Sequence, residues 1–440
     1  MIRLLLPALL LLAPLHGLAA ESEPLPEPLT LDAALAAIDD RHPLIGAASA
    51  GADALQAALA KARADDDASV DLTLELRRVE PLDDSPYDGR DDSRASVTLY
   101  KRLYDFGRTR HRIEAATEAA SAGESITALA RLRLRRQVLR DYFDVLLADL
   151  AAATANEAMS VAYVRLDRAR DQHELGRTSE VELLELEDRY QKSFLARQRA
   201  EVAQRQTRER LALTLNHPGQ PPATLEPPEL PGLDKPLPDY DTLLATTLHS
   251  SPELRAIDAR LRALDERRKA IRAQRRPELY LQLEAQEYRQ TFGSRTPFRG
   301  TLGLEVPLYQ GGRVDAGLGA LEAERQQRRA ERVETEYRIR ETLLQTLQQI
   351  ETLRLQMKQA AVREDYRELY LDRSRAQYEL EIRTDLGDAM VEQSAARRFA
   401  EQTRFDLALA LEQLVVLTGD PAWSALTPSG GENPPSETTP

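Results

Sequence analysis

Arg94–Arg108 reads RASVTLYKRLYDFGR and Arg299–Arg313 reads RGTLGLEVPLYQGGR. At a constant offset of 205 residues, Arg94, Leu99, Leu103, Tyr104, Gly107 and Arg108 meet identical residues. Upstream, VDLTLEL from Val70 aligns with PELYLQL from Pro277, and LDAALAAIDDRHPL from Leu31 has a looser partner in YDTLLATTLHSSPEL from Tyr240. Matches in one order on both sides of the chain mean an internal duplication. Proline marks the joint. None occurs from Tyr87 to His217 or from Leu308 to Asp420, whereas Pro218–Pro238 holds eight, which reads as an extended linker.

Each half parses alike: a short helix, two strands joined by a polar loop, a very long helix, a tight turn and a helix back. The strands, expected near 70–78, 94–104, 278–287 and 299–308, alternate cleanly. Val70, Leu72, Leu74 and Leu76 oppose Asp71, Thr73, Glu75 and Arg77; Leu302, Leu304, Val306 and Leu308 oppose Thr301, Gly303 and Glu305. Such segments suit a transmembrane barrel with a wet lumen. A solvent-facing sheet packed on helices fits the alternation equally well. Four strands are too few to close a barrel, which takes about eight, and an open edge in lipid leaves backbone groups unsatisfied. Lipid-embedded strands therefore require oligomerisation, with eight strands from two copies or twelve from three.

The helical hairpins are expected over 112–216 and 314–418. Residues 112–174 hold one glycine and no proline, giving a helix of about 95 Å at 1.5 Å per residue. Leu139, Tyr142, Leu146, Leu150 and Ala153 form a stripe in the first, and Ile339, Leu343, Ile350, Leu353, Met357 and Ala360 in the second. A second stripe at Leu344, Leu347 and Leu355 predicts contact on two sides, as in the wall of a cylinder. At the first turn, Gly176 is a helix stop and Ser179 with Glu182 a capping box. At the second, Asp385 is expected to cap the last helix with Asp388 three residues on. Helix capping accounts for these acids as readily as selectivity does.

Composition sets the class. The chain has 440 residues, of which 30% are charged and only 5% aromatic, which points to long solvated helices rather than one globular core. Arg3, the apolar Leu4–Leu15 and the small Gly17, Ala19 and Ala20 read as a signal peptide over residues 1–20. No other apolar run reads as long enough to span a bilayer as a helix. With no cysteine, disulfides, thiol catalysis and a lipobox are excluded. The net charge of −13 argues against nucleic acid as a partner. Six scattered histidines show no metal-ligand spacing, and neither HExxH nor a phosphate loop is present. The Asp105–Gly107 DFG has no other kinase motif beside it. Its glycine serves the strand-to-helix corner, with Tyr104 and Arg108 in one repeat and Pro307, Tyr309, Gly311, Gly312 and Arg313 in the other. No catalytic residue, cofactor or metal is expected. Residues 421–440 are expected to be a disordered tail.

The twofold plan and the motifs VPLYQGGR (Val306–Arg313), KRLYDFGR (Lys101–Arg108) and LTLDAALAAIDDRHPLI from Leu29 resemble the TolC family of outer-membrane factors over roughly Leu29–Pro421. The resemblance implies a mainly α chain with transmembrane β-strands. Three copies would form a twelve-stranded barrel in outer-membrane lipid of a Gram-negative bacterium, continued by a twelve-helix α-barrel in the periplasm. It implies a passive exit duct for a tripartite efflux pump or type I secretion system, docked to a periplasmic adaptor and an inner-membrane RND or ABC transporter. The tunnel would close at its tip. Asp385 and Asp388 match the family's acidic ring, and Tyr378 and Arg383 resemble its closing tyrosine and arginine, with Glu180 a partner. Leu175, Gly176, Arg177, Thr178, Ser179, Glu381, Ile382 and Thr384 would form adaptor-docking tips. One residue separates Arg383 from Asp385, fewer than the family pattern, and Glu381 replaces the usual turn glycine. The rival reading is a periplasmic coiled-coil adaptor, which would have one hairpin flanked by small β-domains.

Overall fold

The computed structural model describes residues 25–80, 91–289, 296–380 and 385–427; the expected signal peptide over 1–20 and residues 428–440 lie outside these. Each half opens with two helices where the sequence suggested one: α1 (Leu31–Ala36) and α2 (Pro43–Ala64), then α5 (Tyr240–Ser250) and α6 (Pro252–Ala273). Pro43 and Pro252 sit in the first turn of α2 and α6, where a missing N–H costs nothing. Each proline starts a new helix.

Strands β1 (Ser69–Glu75), β2 (Arg94–Tyr104), β3 (Glu278–Tyr288) and β4 (Phe298–Glu305) form one antiparallel sheet in the order β1-β2-β3-β4. The duplication therefore meets in the middle, with β2 pairing β3 (Leu99 opposite Leu283), and β1 and β4 are its free edges. Strand β4 stops at Glu305, short of the expected 308, because Pro307 cannot donate to a ladder. Strand β1 ends at Glu75 rather than 78, with the isolated bridge Arg78–Asp91 beyond it.

Long helices α3 (Arg108–Glu174) and α7 (Arg313–Glu379) follow β2 and β4, each 67 residues, or about 100 Å. The returning helices α4 (Glu180–Thr214) and α8 (Leu386–Thr418) are half as long. In the half nearer the sheet, α6 lies between α3 and α7 while α2 packs on the other side of α3; nearer the tips, α8 lies between α3 and α7 and α4 packs on α3. The result is a ribbon four helices wide, α2–α3–α6–α7 then α4–α3–α8–α7, continuing the order of the four strands. In α7, Ile339, Leu343, Ile350, Leu353 and Ala360 are buried within the chain, while Leu344 and Leu355 of the second stripe are exposed and Leu347 turns toward the core. In α3, Leu139, Tyr142 and Leu146 are buried but Ala153 is exposed. Helix α3 also holds an 18-residue window of mean hydropathy 1.2, apolar enough by composition to cross a bilayer, contrary to the sequence reading. The helix packs on α2, α4, α6 and α8, although only 11% of that window is buried within the chain, and it carries Asp149 paired with Arg208 at 2.6 Å.

Midway along the ribbon sits the hub. Phe143 of α3 stacks on Phe405 of α8, centroids 4.4 Å apart, beside buried Tyr142, Leu211, Leu243, Leu343 and Leu411. The proline-rich segment 218–238 is part of this hub rather than a free spacer. Leu230 and Leu233 are buried, and the Tyr142 hydroxyl donates to the Leu29 carbonyl (2.8 Å) and the Glu226 carbonyl (2.6 Å). The expected disorder of the tail fails at its start. Pro421–Trp423 form a 3-10 turn, Ala425 is buried, and Lys235 Nζ donates to the carbonyls of Ala422 (2.7 Å) and Ser424 (2.8 Å). A buried ammonium with such acceptors fixes that segment.

Candidate functional site: the corners and the hairpin tips

At the first corner, the chain leaves β2 through two left-handed residues, Phe106 (φ 55°) and Gly107 (φ 89°). Glycine carries such a φ without strain, but at helix N-cap it has no side chain to cap with. Asp105 does that work from upstream. Its carboxylate accepts from the backbone N–H of Gly107 (3.2 Å) and Thr109 (2.8 Å) and from the Thr109 hydroxyl (2.5 Å). Burial opposes its charge, but the Thr109 hydrogen bonds and the Arg108 and Arg102 guanidiniums outweigh it, so the carboxyl sits below its ordinary pKa.

Across the sheet, Glu278 of β3 gathers the first repeat. It accepts from the Tyr100 hydroxyl (2.8 Å) and Arg102 Nε (3.1 Å) and pairs with the Arg108 guanidinium. Arg102 also donates to the Thr109 hydroxyl (3.0 Å), and Tyr100 stacks on Tyr280 at 5.5 Å. Sequence reasoning named Arg108 but missed Asp105 and Glu278. The available signals were the Asp-x-Gly-x-Thr spacing and the acids Asp71 and Glu278 at matching positions of the repeats.

The second corner is barer. Gly311 (φ 59°) and Gly312 (φ 74°) make the turn, and Gln310 Nε2 donates to the Gln274 carbonyl (3.2 Å). Leu308 and Tyr309 are almost fully exposed, and Tyr104 and Phe106 of the first corner are exposed too. Aromatic side chains thus fringe one end of the sheet.

At the first tip, α3 closes with a pair of crossed bonds, Arg177 N–H to the Gln172 carbonyl and Gly176 N–H to the His173 carbonyl, both 2.8 Å, with Gly176 at φ 70°. Ser179 accepts from the Glu182 N–H at 3.2 Å. Leu175, Gly176, Arg177 and Ser179 are exposed and Thr178 is half-buried, its carbonyl 2.9 Å from His173 Nδ1. At the second tip, Glu381, Ile382, Arg383 and Thr384 lie outside the described residues. Asp385 occupies the N-cap position of α8, but its side chain does not cap. It accepts from the Tyr370 hydroxyl at 3.1 Å instead. Asp388 pairs with Arg165 of α3 at 2.6 Å. The structure thus ties the two acids to different helices. Tyr378 lines a groove of about 390 Å³ with Val161, Arg165, Leu386, Gly387 and Met390. Among the described residues no hydrogen bond joins it to Glu180. A Cβ on Gly387 would come within 2.7 Å of the Val161 side chain, so this glycine sets the close approach of α3 and α8.

One sheet shared by two hairpins is not the plan of an adaptor. The comparisons agree. Protein CyaE of Bordetella pertussis is 37% identical over 125 residues, which are 28% of this chain and 25% of that protein. The crystal structure of VceC from Vibrio cholerae matches with a TM-score of 0.69 at 16% identity, over 90% of this chain and 97% of that one. A membrane protein from Pseudomonas aeruginosa matches with a TM-score of 0.71 at 20% identity, over 88% and 93%. At such identities these structures establish the fold. The profile of the outer membrane efflux protein family matches residues 35–217 and 243–420, which takes in both repeats and leaves out the linker, and the chain therefore belongs to that family.

Proposed function

We propose that three copies of the chain close into a twelve-stranded barrel in the outer membrane, continued by twelve helices in the periplasm, as the exit duct of a tripartite efflux pump or a type I secretion system. As a member of an efflux channel family the chain is a conduit and not an enzyme. The observation that carries a barrel shared between copies is the sheet; the number three comes from the resemblance to the family. Val70, Leu72 and Leu74 are 64, 67 and 70% exposed, while Ser96 and Gln286 on the opposite face are 5 and 6% exposed. Among the described residues no helix packs on its apolar face, and its edges β1 and β4 are unpaired within the chain. In water that face would cost about 25 cal/mol per Å²; in lipid it costs nothing, but the edges must then be paired. The ribbon repeats the pattern. Leu184 and Leu195 of α4 and Leu355, Val362 and Leu369 of α7 are exposed on its two outer helices. One neighbour's β1–α2–α4 edge meeting another's β4–α7 edge satisfies both at once. The exposed corner aromatics then fall at the periplasmic interface of the membrane.

At the far end, Asp385 and Asp388 form the acidic ring, Tyr378, Arg383 and Glu180 make the closing bonds between hairpins, and Leu175–Ser179 with Glu381, Ile382 and Thr384 receive the adaptor. The Arg165–Asp388 pair supports a closed tip in which α8 is strapped to α3.

The cysteine-free sequence makes the test clean. Ser69 of β1 and Thr301 of β4 lie level across the sheet through Tyr100 and Gln282. Cysteines at both positions, joined by a short bifunctional maleimide in isolated outer membranes, should give a ladder ending at three chains. A ladder ending at two, or a chain that stays soluble and monomeric without detergent, would overturn the reading. At the tip, Asp385→Ala with Asp388→Ala should weaken block by multivalent cations in bilayer recordings; unchanged block removes these acids from the ring.

A further inference from the structure

We propose that His111, Glu114 and Glu266 form a divalent-cation site of the zinc type that ties the start of α3 to α6. His111 and Glu114 lie three apart in the first turns of α3 and so share a face. Glu266 comes from α6, in the other repeat, which is why no ligand spacing shows in the sequence. The donor atoms of the three side chains all lie within 4.8 Å of one another.

One nitrogen is asked to serve two anions. His111 Nδ1 is 3.0 Å from Glu114 Oε2 and 2.8 Å from Glu266 Oε2. An imidazole N–H points in one direction and satisfies one acceptor well. A cation in place of that proton satisfies all three donors.

The surroundings aim the carboxylates inward. Glu114 Oε1 accepts from Arg110 Nε at 2.9 Å, and Glu266 Oε1 accepts from Lys269 Nζ at 2.6 Å. Each glutamate thus has its outer oxygen held by a cation and its inner oxygen turned to the histidine, the arrangement by which outer partners orient metal ligands. Zinc takes nitrogen and oxygen donors at about 2.0–2.2 Å in a tetrahedron, so the two histidine-to-glutamate gaps need open by only about half an ångström. One imidazole among the donors selects zinc-type ions over magnesium and calcium, which prefer all-oxygen sites. The side chains are one-fifth to two-fifths exposed, which leaves the fourth position to water. Position gives the site a purpose. It sits one turn below the Gly107 corner, where the sheet hands over to the ribbon, and crosslinks the two repeats there.

The full-length protein in detergent, stripped with a chelator and dialysed, would be titrated with zinc ion alone and its bound metal counted by mass spectrometry. We expect one zinc per chain, with affinity at least about tenfold weaker in His111→Ala and in Glu266→Gln, and no displacement by millimolar magnesium. Glu114→Gln removes the most exposed ligand and keeps the test valid should either of the others fail to fold; Glu368→Gln, exposed on α7, should bind like the parent. A parent that takes up no saturable zinc, or ligand variants that bind as well as it does, would overturn the site and leave His111 hydrogen-bonded between two carboxylates. Neither outcome depends on channel activity.

Discussion

In the hub, Tyr142, Phe143 and Leu343 are withdrawn from solvent; in the sheet, Ser96 and Gln286 are covered and Val70, Leu72 and Leu74 stand in the open. The two regions are built from the same residue types by the same hydrophobic effect, with the sign of the environment reversed. The hub matches a chain that buries apolar area against itself. The sheet matches one whose apolar face is buried by lipid. Its polar face is correspondingly well knit, through Glu278, Arg102, Tyr100 and Arg108. The difference teaches that burial in a single chain is not a measure of what is inside the finished assembly.

The hub should break hardest. Phe143→Ala removes one ring of the stack on Phe405 and should cost about 3–5 kcal/mol, read as a lower denaturant midpoint of the detergent-solubilised protein. Leu72→Ala should barely move the same midpoint, since Leu72 is two-thirds exposed within the chain. Next in size is polarity on the sheet. Leu72→Arg should cost about 2–4 kcal/mol on refolding into vesicles if it lies near the bilayer midplane, whereas Thr73→Arg, on the other face, should be tolerated. Equal costs for the two would refute the inverted sheet.

The corner comes third. Asp105→Ala uncaps α3, for about 1–2 kcal/mol. Because the folded carboxyl lies below its ordinary pKa, its stabilisation is complete above about pH 4 and is lost as pH falls through the folded value. The variant should therefore show a flatter acid limb in a melting-temperature profile. Asp406 runs the opposite way. Burial, then the nearby Asp144 charge, raises its pKa, so ionisation opposes folding and stability declines as pH climbs above about 4 through the raised value. Asp406→Asn should melt higher than the parent at pH 7 and level with it at pH 4. The smallest effect belongs to the tip. Arg165→Ala breaks a largely exposed pair with Asp388 and should cost no more than about 1 kcal/mol, while raising resting conductance if that pair helps hold α8 on α3.

Much of the fold could be read because its signals are local. Alternation of Leu72 with Thr73, the long stretches free of proline, the stops at Gly176 and the corners at Gly107 and Gly312 each depend on a residue and its near neighbours, through φ preference and the periods of strand and helix. The repeat came from the same source, since duplicated local signals recur in order. What lies across from what is another matter. That β2 pairs β3, that the proline-rich segment and residues 421–427 pack into the hub, that Asp385 turns to Tyr370 and Asp388 to Arg165, and that Glu266 reaches His111 from 155 residues away were decided only by tertiary packing. No period encodes a partner that distant. Nor does alternation say which face meets water, because lipid and a protein core ask for the same leucines; only the uncovered face of the folded sheet makes that choice.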